Sequence, residues 1–124
     1  MSEAEYQSHI VDVAHLYGYL VALFRKGRTK KGWVTPVGAD GTGWLDLFLL
    51  NEQTGRIIFA EIKSKTGKLT KGRWIIRKGR SVYLLGQEDW VRVLKAAKQE
   101  VYVWIEDVNS LEEICDIIKG GKEK

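Results

Sequence analysis

The 124-residue chain is long enough for one globular domain with its own core, and 44% of its residues are apolar. No apolar run reaches the roughly 18 residues of a membrane span, the N-terminus does not resemble a secretory leader, and one cysteine excludes an intramolecular disulfide. These features predict a cytoplasmic protein without a membrane span, and the net charge of +4 favours a polyanionic partner.

The sequence predicts both helices and strands. Ser2 and Glu5 form a capping box, and apolar residues at helical spacing follow as far as Gly18. Tyr19–Phe24 is then a short apolar strand, which we prefer to one helix over Ser2–Phe24. Further strands are predicted at 33–37, 44–50, 56–63 and 101–105, and further helices at 87–98 and after Ser110. Residues 1–124 are therefore expected to form a single α/β domain, a central mixed β-sheet flanked by helices.

Positive charge is concentrated in two segments. Residues 25–31 read RKGRTKK, and the stretch from Lys63 to Arg80 holds eight basic residues and no acid. Such clusters are typical of surfaces that contact nucleic-acid phosphates, although a solvated basic surface is the alternative. The predicted DNA-binding residues are Arg25, Lys26, Arg28, Lys30, Lys31, Lys65, Lys68, Lys71, Arg73, Arg77, Lys78 and Arg80. Part of the second segment, about 73–85, is predicted as a basic β-hairpin around Lys78-Gly79.

Two acids are predicted to meet on the strands 44–50 and 56–63. If these strands form an antiparallel hairpin with Leu50 opposite Ile57, then Asp46 lies opposite Glu61, and opposed Cβ atoms are about 4.5–5.5 Å apart. Two carboxylates so placed raise one pKa or require a cation such as Mg²⁺. Lys63 shares the face of Glu61 and can stabilise charge developing on a phosphate. Ordinary solvated residues are the alternative, and a one-residue slip of register would separate the acids.

The order of these motifs resembles a known family. A G-x-x-D motif (Gly43–Asp46), an E-x-K motif (Glu61–Lys63) and a glutamine-led helix at Gln87 are similar to the PD-(D/E)xK nuclease superfamily. Within it, the chain resembles the virus-type replication-repair nuclease (VRR-NUC) domain, in the stand-alone form found in phages. The resemblance continues through Ser2, Glu3, Tyr6 and Gln7, GKLT at 67–70, QEDW at 87–90, VYVW at 101–104 and LEEI at 111–114.

The resemblance implies a restriction-endonuclease-like core and a metal-dependent active site. A Mg²⁺ or Mn²⁺ ion would be bound by Asp46, Glu61 and the backbone carbonyl of Ile62. Lys63 would be the catalytic lysine, and Gln87 would lie near the phosphate or a water on the metal, although a plain first-turn helix residue is the alternative.

An acid of the first helix is also implied, reaching the metal through water. Glu3 is preferred to Glu5, because Glu5 closes the capping box. The chain departs from the family in two places. Leu45 stands where the family has proline, and residues 71–86 intervene before Gln87, which the family normally reaches soon after Thr70. The inserted hairpin is predicted to contact DNA or to mediate dimerisation.

These features together predict a Mg²⁺- or Mn²⁺-dependent DNA endonuclease, selective for branched structures such as four-way junctions and working as a homodimer. A monomeric nicking or flap-type nuclease is one alternative, and a non-catalytic DNA-binding accessory protein of the same fold is another. The remaining alternative is an interaction module in which the E-x-K motif arose by chance.

Overall fold

The computed structural model describes residues 1–24, 27–29, 32–34 and 38–120. These residues contain three helices and eight strands. In chain order they are α1 (Glu3–Leu16), β1 (Leu20–Leu23), β2 (Gly27–Thr29), β3 (Gly32–Val34), β4 (Leu47–Leu50), β5 (Ile57–Lys63), β6 (Arg73–Arg77), β7 (Arg80–Leu84), α2 (Gln87–Ala96), β8 (Glu100–Ile105) and α3 (Leu111–Lys119). None of the helices in these ranges is long and apolar enough to cross a membrane.

The central sheet is mixed, as predicted. Its strand order is β1-β4-β5-β8; the β1–β4 and β4–β5 pairs are antiparallel, and the β5–β8 pair is parallel. Leu50 lies opposite Ile57 in the β4–β5 hairpin, so the predicted register is confirmed. The parallel β5–β8 pair requires a crossover, and α2 lies within that connection.

Helices cover both faces of the sheet, which confirms the predicted α/β arrangement. On one face α1 and α3 contribute Ile10 and Ile114 to a core that includes Ile58. On the other face α2 contributes Val91, beside which Phe59 packs. Because side chains alternate along a strand, Glu61 and Lys63 lie with Phe59 on the face that α2 covers.

The first helix ends where the sequence indicates. Gly18 adopts a φ of +85°, which favours glycine, and separates α1 from the edge strand β1. The predicted split into a helix and a strand is therefore confirmed.

Two predicted strands differ from the structure. The strand predicted over 44–50 is shorter, since β4 pairs with β5 only from Leu47 onward. The strand predicted at 33–37 is β3 (Gly32–Val34), and it pairs with β2, which lies within the basic segment 25–31, where no strand is predicted. Cross-strand pairing with β3 gives this polar segment a structure that its composition does not indicate. The rest of the predicted strand, residues 35–37, lies outside the described residues.

The predicted basic hairpin is confirmed as β6 and β7. Its two-residue turn is Lys78-Gly79, with φ values of +51° and +75°. Positive φ at both turn residues matches the turn type that follows the twist of paired strands. At the base of the hairpin, Glu88 N donates to the carbonyl oxygen of Thr70 at 3.0 Å. The residues just before and just after the hairpin therefore lie next to each other.

Arg56, just before β5, connects three parts of the fold. Its Nε donates to Glu100 on β8 at 2.9 Å, and its Nη1 donates to the Tyr19 hydroxyl and the Ile118 carbonyl, each at 3.1 Å. The guanidinium thereby ties the start of β5 to β8, to the residue before β1 and to the end of α3.

We expect Arg56→Met to lower the free energy of unfolding by about 2 kcal/mol, because hydrogen bonds to charged groups each contribute about 1.5–3 kcal/mol. Urea denaturation followed by circular dichroism measures the change. Arg92→Met is the matched control, since its ion pair with Asp89 leaves the Arg92 side chain 69% exposed and contributes less than about 1 kcal/mol. Equal effects of the two substitutions would contradict this prediction.

Candidate active site

The site is built around the carboxylate of Glu61. This residue is 1% exposed and lies near the end of β5, on the face that α2 covers. Asp46 N donates to its Oε1 at 3.1 Å, Gln87 Nε2 donates to its Oε2 at 2.6 Å, and Lys63 Nζ is 3.4 Å from that same oxygen. A carboxylate buried this deeply is stable only when its lone pairs are occupied, and here three different segments supply donors.

Asp46 and Glu61 are adjacent, but not as a ladder pair. The ladder begins at Leu47 opposite Ala60, so the confirmed register places Asp46 opposite Glu61 one residue beyond the last paired position, and the predicted ladder pair itself does not form. Side-chain bonds to the backbone replace it. Asp46 Oδ2 accepts a hydrogen bond from Ile62 N at 3.2 Å, while the Asp46 N–H donates to Glu61. Strand β4 begins one residue after Asp46, and the carboxyl groups of Asp46 and Glu61 still meet beside its first residue.

Burial and the neighbouring acid both raise the pKa of Glu61, to about 8, and the ammonium of Lys63 opposes this shift. Burial contributes most, because a carboxylate loses its hydration in the interior. The charge of Asp46 acts in the same direction. The fold therefore holds together two acids that one lysine does not fully neutralise.

Gln87 is the first residue of α2 and lies in the site although the β6–β7 hairpin separates it from β5 in the chain. Its Oε1 accepts a hydrogen bond from Thr70 N at 3.0 Å, and its backbone N donates to Thr70 Oγ1 at 2.9 Å. These bonds orient the side-chain amide so that its nitrogen faces Glu61. Thr70 is a positioning residue that the sequence analysis did not identify. The available signal was its place directly before the inserted segment.

The donor set of this site fits a small, hard divalent cation. Mg²⁺ is commonly bound through one or two carboxylates, with water and substrate phosphate completing its shell. Asp46 and Glu61 supply the carboxylates. The N–H and C=O of a strand residue point to the same edge, and Ile62 N donates to Asp46, so the Ile62 carbonyl lies on the edge where the acids meet.

The predicted helix acid is not part of this cluster. Glu3 is exposed in the first turn of α1, and Glu5 closes the capping box with Ser2, as predicted. Over residues 1–24, 27–29, 32–34 and 38–120, no group of three or more His, Cys, Asp or Glu side chains is placed to hold a metal. The acidic part of the site therefore consists of two residues, and a role for Glu3 stays a prediction.

Exposed basic side chains follow the site along the chain. They are Lys65, Lys68, Lys71, Arg73, Arg77, Lys78 and Arg80. The side chain of the predicted DNA-binding residue Arg28 and the predicted residues Arg25, Lys26, Lys30 and Lys31 lie outside the described part of the molecule. The run of positive charge therefore starts at the acid pair and extends along the inserted hairpin.

Comparisons of the chain with family models, with curated proteins and with solved structures gave no match. The nuclease-family resemblance of the motifs accordingly stays a prediction, and the geometry of the site is what bears on function.

The raised pKa of Glu61 predicts how stability depends on pH. Its folded-state pKa is about 8 and the ordinary value is 4.5, so the folded chain holds this proton more tightly than the unfolded chain does. The stabilisation is complete below the ordinary value and is lost as pH rises through about 8. In EDTA, we expect the melting temperature of the wild type to fall relative to that of Glu61→Gln between pH 5 and pH 9.

Thermal melts of the two proteins across this pH range test the expectation. Glu52→Gln, at an exposed turn position, is the control and should follow the wild type at every pH. A constant difference between wild type and Glu61→Gln would show that Glu61 ionises normally.

Proposed function

We propose that this chain is a Mg²⁺- or Mn²⁺-dependent endonuclease that hydrolyses phosphodiester bonds in DNA. One observation carries the proposal: the acids Asp46 and Glu61, the ammonium of Lys63 and the amide of Gln87 converge at one end of the sheet. Ionising both acids at that point costs free energy, which is why the pKa of Glu61 is raised. Such an arrangement is typical of sites that hold a cation.

Asp46, Glu61 and the Ile62 carbonyl would hold the divalent ion. When bound there, the ion neutralises the acids and supplies Lewis acidity to the phosphoryl group. The residues of the chain do the remaining work. Gln87 holds the Glu61 carboxylate in one orientation through its 2.6 Å hydrogen bond. Ligands kept in place before substrate arrives do not have to reorganise during the reaction.

Lys63 is the candidate catalytic residue for the phosphate. Its side chain is 14% exposed and its Nζ lies 3.4 Å from Glu61 Oε2, so the lysine connects the buried Glu61 carboxyl group with the solvent side of the site. From there it can donate to a non-bridging phosphate oxygen, where negative charge increases as water attacks phosphorus. Hydrolysis adds one water across a P–O ester bond and leaves a phosphate monoester and an alcohol.

The exposed basic segment supports DNA as the substrate. Seven cationic side chains between Lys65 and Arg80 follow the site without an intervening acid. Contacts with phosphates of this kind hold a nucleic acid in place without reading its sequence. We therefore propose cutting that is selective for branched DNA structure and not for sequence, by a homodimer with a restriction-endonuclease-like core of the VRR-NUC type.

We expect Asp46→Asn and Lys63→Met each to lower the cleavage rate by at least about a hundredfold, since removing one group that stabilises a transition state has effects of this size. Cleavage of supercoiled plasmid and of a four-way junction, each with Mg²⁺, Mn²⁺ or EDTA, measures the rate. Glu52→Gln is the matched acid control and should cut at the wild-type rate.

Normal cleavage by Asp46→Asn would show that the site assignment is wrong. Binding of DNA by the wild type without cleavage in either metal would favour the non-catalytic alternative.

The basic hairpin gives a prediction about salt. Replacing Arg73, Arg77, Lys78 and Arg80 by glutamine should weaken duplex DNA binding and reduce the slope of log K against log[salt] by about 0.9 for each phosphate that the variant no longer neutralises. Fluorescence anisotropy at several salt concentrations measures both effects. The control carries glutamine at four exposed cations elsewhere, Arg92, Lys95, Lys98 and Lys119. An unchanged slope in the hairpin variant would exclude binding of DNA phosphates by these four side chains.

A further inference from the structure

The inserted hairpin has one strongly exposed apolar face. Side chains alternate along β6 and β7, so Trp74 and Ile76 share a face with Tyr83 of the facing strand. Trp74 is 70% exposed and Ile76 is 72% exposed, whereas Leu49 and Ile58 of the central sheet are fully buried. A two-stranded hairpin is at best marginally stable by itself in water, so an open apolar face on this element needs a reason.

Trp74 contacts a second aromatic ring although it is exposed. Its ring contacts that of Tyr83 across the ladder, with centroids 5.2 Å apart and planes at 61°. The Tyr83 hydroxyl in turn donates to Asp89 Oδ2 at 3.2 Å. Gly72 leaves the space for that contact, because a Cβ there would collide with the Tyr83 hydroxyl. The indole therefore packs against a tyrosine whose own position is set by a hydrogen bond to α2.

The same contacts connect this aromatic face to the candidate active site. Asp89 lies in the first turn of α2, two residues after Gln87, whose amide binds the Glu61 carboxylate. The first turn of α2 thus contacts both regions: Asp89 binds Tyr83 of the aromatic face, and Gln87 binds Glu61 of the acid pair.

The tip of the hairpin carries positive charges that repel one another. Arg77 and Arg80 are directly opposite in the ladder, and Lys78 lies in the turn between them. Like charges at opposed positions destabilise a hairpin. A partner that supplies negative charge at this tip would relieve the repulsion, whereas a second copy of the hairpin would increase it.

We propose that the hairpin binds an unpaired segment of DNA, with a base stacked on Trp74. Its phosphates would be attracted by the positive charge of Arg73, Arg77 and Arg80, which alternate to the other face of the same two-stranded ladder, because exposed charges act over about 10 Å at ordinary ionic strength. Aromatic side chains beside cationic ones are the features by which proteins bind single strands without reading sequence. The choice of DNA rests on the proposed function. In a duplex the faces of the bases are already stacked, so this surface discriminates in favour of unpaired regions, which branched DNA provides.

Binding is tested in the Asp46→Asn background with EDTA present, so that the result does not depend on cleavage. The probes are a fluorescein-labelled 16-mer of thymidines and a duplex of equal length, compared by anisotropy. We expect Trp74→Ala to weaken binding of the single strand at least about fivefold, the lower end of the usual effect of losing one stacked base. Binding of the duplex should change less than twofold.

Trp74→Phe retains an aromatic face and should recover most of the single-strand affinity. Val108→Ala, a change at another exposed apolar side chain, should leave both affinities unchanged. Equal losses for single strand and duplex, or no loss for either, would overturn the proposal. Conversion of a dimer to a monomer by Trp74→Ala, measured by sedimentation, would likewise overturn it and assign the face to self-association. Single-strand binding that depends on Trp74 supports the proposal even if the chain cleaves no substrate, so the two proposals fail separately.

Discussion

The carboxylate of Glu61 is the group on which the arrangement of the site depends. A buried carboxyl group needs hydrogen-bond partners, and here they come from the loop before β4, from β5 itself and from the first turn of α2. Each of these segments is therefore held in position by the same pair of oxygen atoms. Removing the carboxylate would leave the Gln87 amide without its acceptor and Lys63 without its counter-charge. The chemistry and the packing of this region are consequently inseparable.

The inserted hairpin is accommodated without displacing Gln87. The chain leaves the domain after Thr70 and returns at Gly86, where the two segments approach so closely that a Cβ on Gly86 would collide with the backbone of Gly72. Gly43 is equally close to Gly86, and its φ of +83° also favours glycine. Glycines at this crossing allow three backbone segments to meet beside the acid pair. The hairpin and the contacts around Glu61 are therefore joined only at this crossing and at the start of α2.

Charge is distributed unequally around the site. The two acids are held at the end of the sheet, with Glu61 deeply buried, whereas the cations from Lys65 to Arg80 are exposed along the segment that follows. A polyanion approaching this surface meets positive charge first, and the repulsion from the acids is weakened by Lys63. The exposed Trp74 lies within the same basic segment. This arrangement is what joins the proposed endonuclease activity to the proposed preference for unpaired DNA.

Much of the fold follows from local patterns in the sequence. The helix break at Gly18, the register that places Leu50 opposite Ile57, and the Lys78-Gly79 turn all depend on residues close together in the chain, where periodicity and backbone preference decide the conformation. The shared face of Glu61 and Lys63 follows from strand alternation alone.

Other features required the tertiary structure. The hydrogen bonds between Asp46 and the end of β5 arise because β4 pairs only from Leu47, and the contact of Gln87 with Glu61 joins residues 26 positions apart. The pairing of β2 with β3 also does not follow from composition. Sequence by itself therefore determined which residues could form the site and which faces they share. Only the packing of α2 against the sheet decided which of them meet, because contacts across long chain separations depend on the whole fold and not on local preference.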